Sequence, residues 1–290
     1  MRADRPLLTV LAVCYNHARY LNECLDSIHA QTYQDFELII TDDGSTDGSA
    51  DLIREWIARE GRVCRFIAHE RNVGLCRTLN EALAAVRGKY LARISTDDVW
   101  LPRKLERQLA VMESLPERVA VLYGDAYQMR ANGESLPQRY LTDCGFRGPG
   151  PSGDVFLQLL DRFFVLGVTT LLRTDCLRSV GGYDESLVYE DWDLWLRLAE
   201  RYDFFFHDEV HAKYRRVPAS LSNTLSRWGS PERIWSDVLI LEKCACSPRL
   251  DFANRARTAL RIAKRALRLA GCVDARAVPA VARALRALAR

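Results

Sequence analysis

No apolar run in this sequence approaches the ~18 to 20 residues a membrane-spanning helix needs, so nothing in it reads as an integral membrane segment. No Cys-x-x-Cys pair occurs among the nine cysteines (14, 24, 64, 76, 144, 176, 244, 246 and 272). Cys244-Ala245-Cys246 is the one close pair, and no histidine stands near it at zinc-finger spacing. A disulfide-stapled scaffold and a zinc ribbon are thereby excluded, while thiols inside apolar stretches behave as small hydrophobes and fit a reducing cytosol. Glycine is missing from Cys14-Tyr15-Asn16-His17-Ala18, the segment after the first apolar stretch, and no Walker sequence is present. That removes both glycine-rich phosphate loops, the dinucleotide type and the P-loop type. Internal repeats are absent too.

What is there begins with ordinary globular composition: 48% hydrophobic and 27% charged residues over 290 positions, enough for one sizeable domain with an appendage. The net charge of +3 hides an uneven spread. Residues 249–290 carry 11 Lys and Arg against 2 acids, whereas residues 1–248 carry 30 against 36. A mildly acidic body therefore precedes a strongly basic tail. Arg2 and Arg5 before Leu7 faintly mimic a signal peptide, but Pro6 and the polar Asn16-His17-Ala18-Arg19 mark a first strand instead.

Leu7 to Cys14 is continuously apolar, as expected of a strand buried on both faces of a parallel sheet. A helical pattern follows over 20–31, then strand 36–41, an acidic loop, helix 49–59, strand 63–68, helix 75–86 and strand 90–95. Such alternation predicts an α/β fold, a right-handed, doubly wound, mostly parallel sheet with helices on both faces. Helix 104–112 and strand 119–129 close this half. Beyond a Gly- and Pro-rich loop at 141–153, the pattern predicts a helix over 154–164, a strand over 168–172 and a strong helix over 190–201. Phe204-Phe205-Phe206 and 210–216 read as a pair of strands.

Ligands of such sheets sit at the carboxyl ends of the strands. Here those ends carry Tyr15-Asn16, Asp42-Asp43, the 69–74 loop and Thr96-Asp97-Asp98. Adjacent carboxylates repel each other, and a natural use for Asp97-Asp98 is to hold a divalent cation that in turn holds a phosphate. A turn with helix caps explains Ser45 and Asp47 but not Asp43. Later in the chain, Asp191 shares a helix face with Leu194, Trp195 and Leu198, which turns it inward with no cation at i+4. Asp193 has Arg197 four residues on, and a surface ion pair suffices for it.

These segments, in order, resemble the family 2 glycosyltransferases of the GT-A fold. The resemblance rests on Tyr33 to Asp47, Asn72-Val73-Gly74 with Asn80, Ser95 to Asp98, and Glu190-Asp191-Trp192-Asp193-Leu194-Trp195-Leu196-Arg197. It covers roughly residues 6–216, with 1–115 as a nucleotide-binding half, 116–220 as an acceptor half, and 221–290 as a helical tail. What it implies is inverting transfer of a sugar from a nucleoside diphosphate donor, UDP-sugar favoured, with Mg2+ or Mn2+ as cofactor. Tyr15 would stack near the base, Asp43 would bond the base or ribose, and Arg77 or Arg71 would approach the phosphates. Asp97 would touch the ribose, Asp98 would ligate the metal with His207 as a further metal-facing group, and Asp191 would be the general base, with Glu190 as fallback. Thr224-Leu225-Ser226-Arg227-Trp228 has Thr where processive members carry the Gln of Q-x-x-R-W, so addition of one sugar is expected.

In the tail, Phe252, Ala256, Ala259, Leu260, Ala263, Leu267 and Ala270 fall on one side of a helix and Arg257, Arg261, Lys264, Arg265 and Arg268 on the other. Val278 to Leu288 repeats the design. The apolar face suits an anionic membrane surface, which would place the enzyme in the cytoplasm on the inner face of the membrane, near a glycan or lipid-linked acceptor. The same face also suits the catalytic body or a second copy in a homodimer. Nucleic acid is not expected, because no aromatics interleave with the basic residues. Two rivals stand beside this reading: a subunit that binds nucleotide sugar without transferring it, and a nucleotidyltransferase, which would want a Gly- and Arg-rich first loop.

Overall fold

A computed structural model describes residues 6–218, 230–272 and 274–289. Thr224 to Trp228 lie outside the described residues. The first half runs β1 (Leu8–Cys14), α1 (Ala18–His29), β2 (Phe36–Asp42), α2 (Ser49–Glu60), β3 (Arg65–Ala68), α3 (Leu75–Ala85) and β4 (Tyr90–Ser95). Next come β5 (Val99–Trp100), α4 (Lys104–Ser114), β6 (Val119–Arg130), β7 (Ser135–Arg139), α5 (Tyr140–Asp143) and α6 (Phe156–Asp161). A 3-10 turn at Gly167–Thr169 leads into β8 (Leu171–Arg173), α7 (Thr174–Ser179), α8 (Asp191–Ala199) and β9 (Asp203–Arg216). The chain ends in α9 (Pro231–Ala245), α10 (Phe252–Gly271) and α11 (Ala277–Ala289).

The strands form one sheet in the order β3-β2-β1-β4-β8-β6-β9-β5, with β7 added to β6. β1, β2, β3 and β4 are parallel to one another, while β8 is antiparallel to both β4 and β6. Every residue of β1 is buried, and alternate side chains feed two cores. Val10 and Ala12 join Leu21, Trp56 and Leu105 from α1, α2 and α4, whereas Leu11 and Val13 join Leu79, Leu159 and Trp195 from α3, α6 and α8. This two-sided burial is the physical reason the strand reads as an unbroken apolar run.

Two expectations are corrected. Residues 204–216 are not a pair of strands but part of one long strand, β9, paired in parallel with β6. Its register slips between Phe206 and Val210, where Tyr123 to Asp125 of β6 lie opposite, so His207-Asp208-Glu209 forms a bulge rather than a chain reversal. His207 and His211 therefore both lie on this strand. Asp193 is no surface pair either. It is 1% exposed and accepts from Arg197 Nε (2.7 Å) and from Lys243 Nζ of α9 (2.6 Å).

The tail packs on the body. Val238, Leu241, Ala259, Ile262, Ala266, Leu269, Ala280 and Ala284 belong to the same core cluster as Trp195. Its basic side is partly spent, Arg261 over the Trp192 ring of the body and Arg265 Nε donating to Asp237 of α9 within the tail (2.8 Å). Trp235 packs on the core under Arg283. The outer apolar row stays uncovered, with Phe252, Leu267 and Val278 respectively 80%, 72% and 77% exposed. No helix among the described residues is long and apolar enough to cross a membrane.

Asp193 joins α8 to α9, so Asp193→Ala leaves Lys243 and Arg197 without their buried anion. Urea unfolding of the full chain is expected to show a loss of about 3 kcal/mol, and an unchanged midpoint would remove Asp193 from this role.

Candidate active site

Parallel register brings the strand ends into one row. Cys14 lies opposite Asp42, Val13 lies opposite Ser95, and the ladder runs on as Asp43 N donates to Cys14 O (2.9 Å) and Thr96 N to Val13 O (3.0 Å). Tyr15 projects from this edge, 44% exposed. Asn16, at φ 55°, ties it to the acidic loop by accepting from Thr46 N (2.8 Å). Asp42 accepts from Ser45 N and Ser45 Oγ, and Asp47 from Ser49 N and Ala18 N. These are the turn and cap roles that short polar side chains fill.

Asp43 is enclosed. Its carboxylate accepts from Val73 N (2.8 Å), Gly74 N (3.1 Å) and Asn72 Nδ2 (3.0 Å), and His69 Nδ1 lies 3.1 Å away. Those contacts use about the four lone-pair directions a carboxylate offers. Asp43 thus anchors the 69–74 loop at the start of α3. Gly44 permits the close approach: its φ is +71°, and a Cβ there would sit 2.2 Å from the Arg71 carbonyl carbon. His69 bridges Asp43 and Glu81; burial alone would lower its pKa, but the hydrogen bonds to both carboxylates raise it. Arg77, exposed on α3, donates to Glu81 (3.0 Å) instead of pointing along the strand ends.

Asp97 and Asp98 are both buried. Asp98 Oδ1 accepts from Arg215 N (2.8 Å), while the Arg215 guanidinium turns to the Asp97 carbonyl (2.8 Å), to Glu23 and onto the Tyr20 ring. His17 donates to or accepts from Thr96 Oγ1 at 3.0 Å and reaches Asp97 Oδ2 at 3.8 Å. Burial, then the neighbouring Asp97 charge, pushes the Asp98 carboxyl well above the ordinary carboxylate range. Among the described residues no guanidinium donates to either carboxylate, and such a buried pair fits a hard divalent cation, which takes oxygen ligands.

The second carboxylate pair stands at the start of α8. Arg93 of β4 donates through Nη1 to Glu190 Oε1 and through Nη2 to Asp191 Oδ1, both at 2.5 Å. Gly167 makes room, because a Cβ there would lie 2.4 Å from Arg93 Nη2 and 3.0 Å from Asp191 Oδ2. Burial raises Asp191 well above the usual range and the Glu190 charge adds to it, overcoming Arg93. Glu190 goes the other way: burial is outweighed by Arg93, and its pKa is lowered. Asp191, 19% exposed, is thus the harder of the two to ionise, and Glu190 the easier. Arg93 also acts on Asp98 by its charge, so both carboxylate pairs lie within its field.

The structure brings Tyr15, Asp43, Asp97 and Asp98 to one edge and sets Asp191 within reach through Arg93. It does not bring His207 to Asp98. β9 passes Asp98 at Arg215, eight positions after His207, and Trp100 is already opposite Ala212. His207 instead faces His211 and Glu209. Arg93, His69, His17 and Arg215 were not singled out from the sequence. Arg93 alone left a trace there, as a charge inside an otherwise apolar strand.

The sequence pattern of Glycosyl transferase family 2 matches residues 9–180, and the chain belongs to that family. It is 33% identical over 232 residues to the uncharacterized glycosyltransferase MJ1057 of Methanocaldococcus jannaschii, covering 77% of this chain and 75% of that one. It is 25% identical to the putative teichuronic acid biosynthesis glycosyltransferase TuaG of Bacillus subtilis, over 80% of this chain and 86% of TuaG. Among solved structures, S. aureus TarS 1–349 with UDP-GlcNAc superposes with a TM-score of 0.67 at 21% identity, over 90% of this chain and 72% of that one. Mannosyltransferase PcManGT of Pyrobaculum calidifontis, with GDP-Man and Mn2+, gives 0.63 at 19% identity, over 97% and 79%. The fold is GT-A, and the protein is a glycosyltransferase.

Asp43→Ala removes the anchor of the 69–74 loop. Amide hydrogen exchange at Val73 and Gly74 is expected to accelerate, with a stability loss of about 2 kcal/mol. Protection equal to wild type would mean the loop is held by other contacts.

Proposed function

We propose that the enzyme moves one sugar from a nucleoside diphosphate sugar to a hydroxyl acceptor with inversion, using Mg2+ or Mn2+. The observation that carries this reading is the two carboxylate pairs, Asp97-Asp98 and Glu190-Asp191, joined by the field of the largely enclosed Arg93. Asp98 is the residue that would hold the cation, and Asp97 the one turned to the ribose. When bound, the cation neutralises the diphosphate and stabilises it as a leaving group. Tyr15 stacks on the base, and Asp43 shapes the base and ribose subsite through the loop it anchors. Arg77 would reach the phosphates by leaving Glu81. UDP-sugar is the favoured donor, in line with the UDP-GlcNAc bound by TarS, and Mn2+ accompanies GDP-Man in PcManGT.

Asp191 accepts the proton of the acceptor hydroxyl as that oxygen bonds to the anomeric carbon. The bond from that carbon to the diphosphate oxygen breaks on the opposite face, and the electron pair leaves with the diphosphate. A raised pKa makes Asp191 a stronger base, and the ionised Glu190 beside it sustains that rise. Arg93 keeps both side chains in place.

Likeness to TuaG supports a surface polysaccharide, lipopolysaccharide or glycolipid as the product. The uncovered row of Phe252, Leu260, Leu267, Val278, Val281 and Leu285 beside basic residues supports peripheral attachment to the inner membrane face, where a lipid-linked acceptor would lie.

Calorimetry with UDP and Mn2+ separates the roles: Asp98→Ala loses metal-dependent binding, whereas Asp191→Asn keeps it and slows donor turnover by roughly 10²- to 10⁴-fold. If Asp98→Ala binds as wild type does, the metal assignment fails. In the wild type, kcat/KM should fall as pH drops through the raised Asp191 pKa, because only the ionised carboxylate accepts a proton. Arg93→Met removes a cation and should move that limb to higher pH; an unmoved limb would detach Arg93 from the base.

For the tail, the full chain should float with vesicles containing phosphatidylglycerol. The triple variant Phe252→Asp, Leu260→Asp, Leu267→Asp should stay at the bottom of the gradient. Equal flotation of both would end the attachment reading.

A further inference from the structure

We propose that the β9 bulge is a second cation site, built by His207, Glu209 and His211 for a borderline transition metal such as Zn2+. It goes beyond the transfer reaction, which draws on the Asp97-Asp98 and Glu190-Asp191 pairs and not on these residues.

One ligand atom from each of the three residues lies within 4.8 Å of the others, although they alternate along a single strand. The bulge between Phe206 and Val210 draws the side chains together. His207 Nδ1 and His211 Nε2 are 3.1 Å apart, and Glu209 Oε1 lies 3.6 Å from His207 Nε2. Tetrahedral Zn2+ with bonds of about 2.0–2.1 Å sets its ligand atoms about 3.3 Å apart, so the imidazole pair needs little movement to share an ion. Imidazole nitrogen with one carboxylate suits Zn2+ and its neighbours rather than Mg2+, which prefers oxygen.

The surroundings are shaped for these side chains. His211 is 1% exposed, and Gly124 of β6 faces it: a Cβ there would meet His211 Cδ2 at 2.4 Å and Nε2 at 2.9 Å. Its backbone is fixed as well, since Leu101 N donates to His211 O (2.9 Å). Arg107 of α4 donates to Glu209 Oε1, orienting the carboxylate as outer partners do at metal sites. His207 and Glu209 are 16% and 30% exposed, which leaves the ion an entry path and a fourth position open to water. A bound ion would pin the bulge of β9, the strand whose later residue Arg215 holds Asp98.

Titration of the purified full chain with Zn2+ against a chromophoric chelator tests this. One Zn2+ per chain is expected, with affinity unchanged in Asp98→Ala, which separates this site from the donor site whatever the fate of the transfer reading. His207→Gln and Glu209→Gln, both at partly exposed positions, should each weaken binding at least about tenfold, and the double variant His207→Gln, His211→Gln should abolish it. Circular dichroism checks that each variant folds. No Zn2+ binding by the wild type, or equal affinity in the single variants, as thiols elsewhere would give, overturns the proposal.

Discussion

Arg93 is the charge around which the catalytic end is arranged. It rises from β4, a strand otherwise closed on both faces, and meets Glu190 and Asp191 at the first residues of α8. A guanidinium this far enclosed, 13% exposed, is tolerable only with anions at hydrogen-bond distance, and two carboxylates side by side are tolerable only with a cation between them. Each group therefore requires the other. The asymmetry that results, Glu190 lowered and Asp191 raised, sets the two acids apart although both face the same guanidinium. Gly167 is part of the same constraint, since any side chain there would collide with both partners.

Around that contact, the sheet divides the work. The parallel half ends in a polar rim anchored by Asp43, and the long β6-β9 pair carries Arg215 back to Asp97 and Asp98. α9 to α11 close the α8 side through buried apolar residues and through the Asp193-Lys243 pair, so the basic tail is tied to the helix that begins with Asp191. Its outer row remains free to meet a surface without disturbing that packing.

Much of this was legible in the residues. Leu8 to Cys14 is an unbroken apolar run because both of its faces are covered, and α1 buries Leu21, Cys24, Leu25 and Ile28, the positions its periodicity marks. Asp97-Asp98 and Asp191 stand out because carboxylates gain nothing from burial unless something compensates. Other residues misled for identifiable reasons. His207-Asp208-Glu209 looks like a turn, since polarity alone does not separate a reversal from a bulge. Asp193 has a helical partner at i+4, which concealed a second, distant one in Lys243. At Asp43 the sequence points to the strand-end site but does not show the contacts from a loop some thirty residues away that enclose it.

The sequence by itself determined the alternation of strands and helices, the place of the acidic strand ends and the family, because burial patterns and short motifs are local properties. Only the tertiary structure decided which charges meet. Arg93 and Asp191 are 98 residues apart in the chain, as are few of the contacts that periodicity can encode. Pairing at that range depends on sheet register and helix docking, and the ionisation of a buried group depends on what lies against it in space. The same holds for His207, whose separation from Asp98 is set by the direction in which β9 runs past β5.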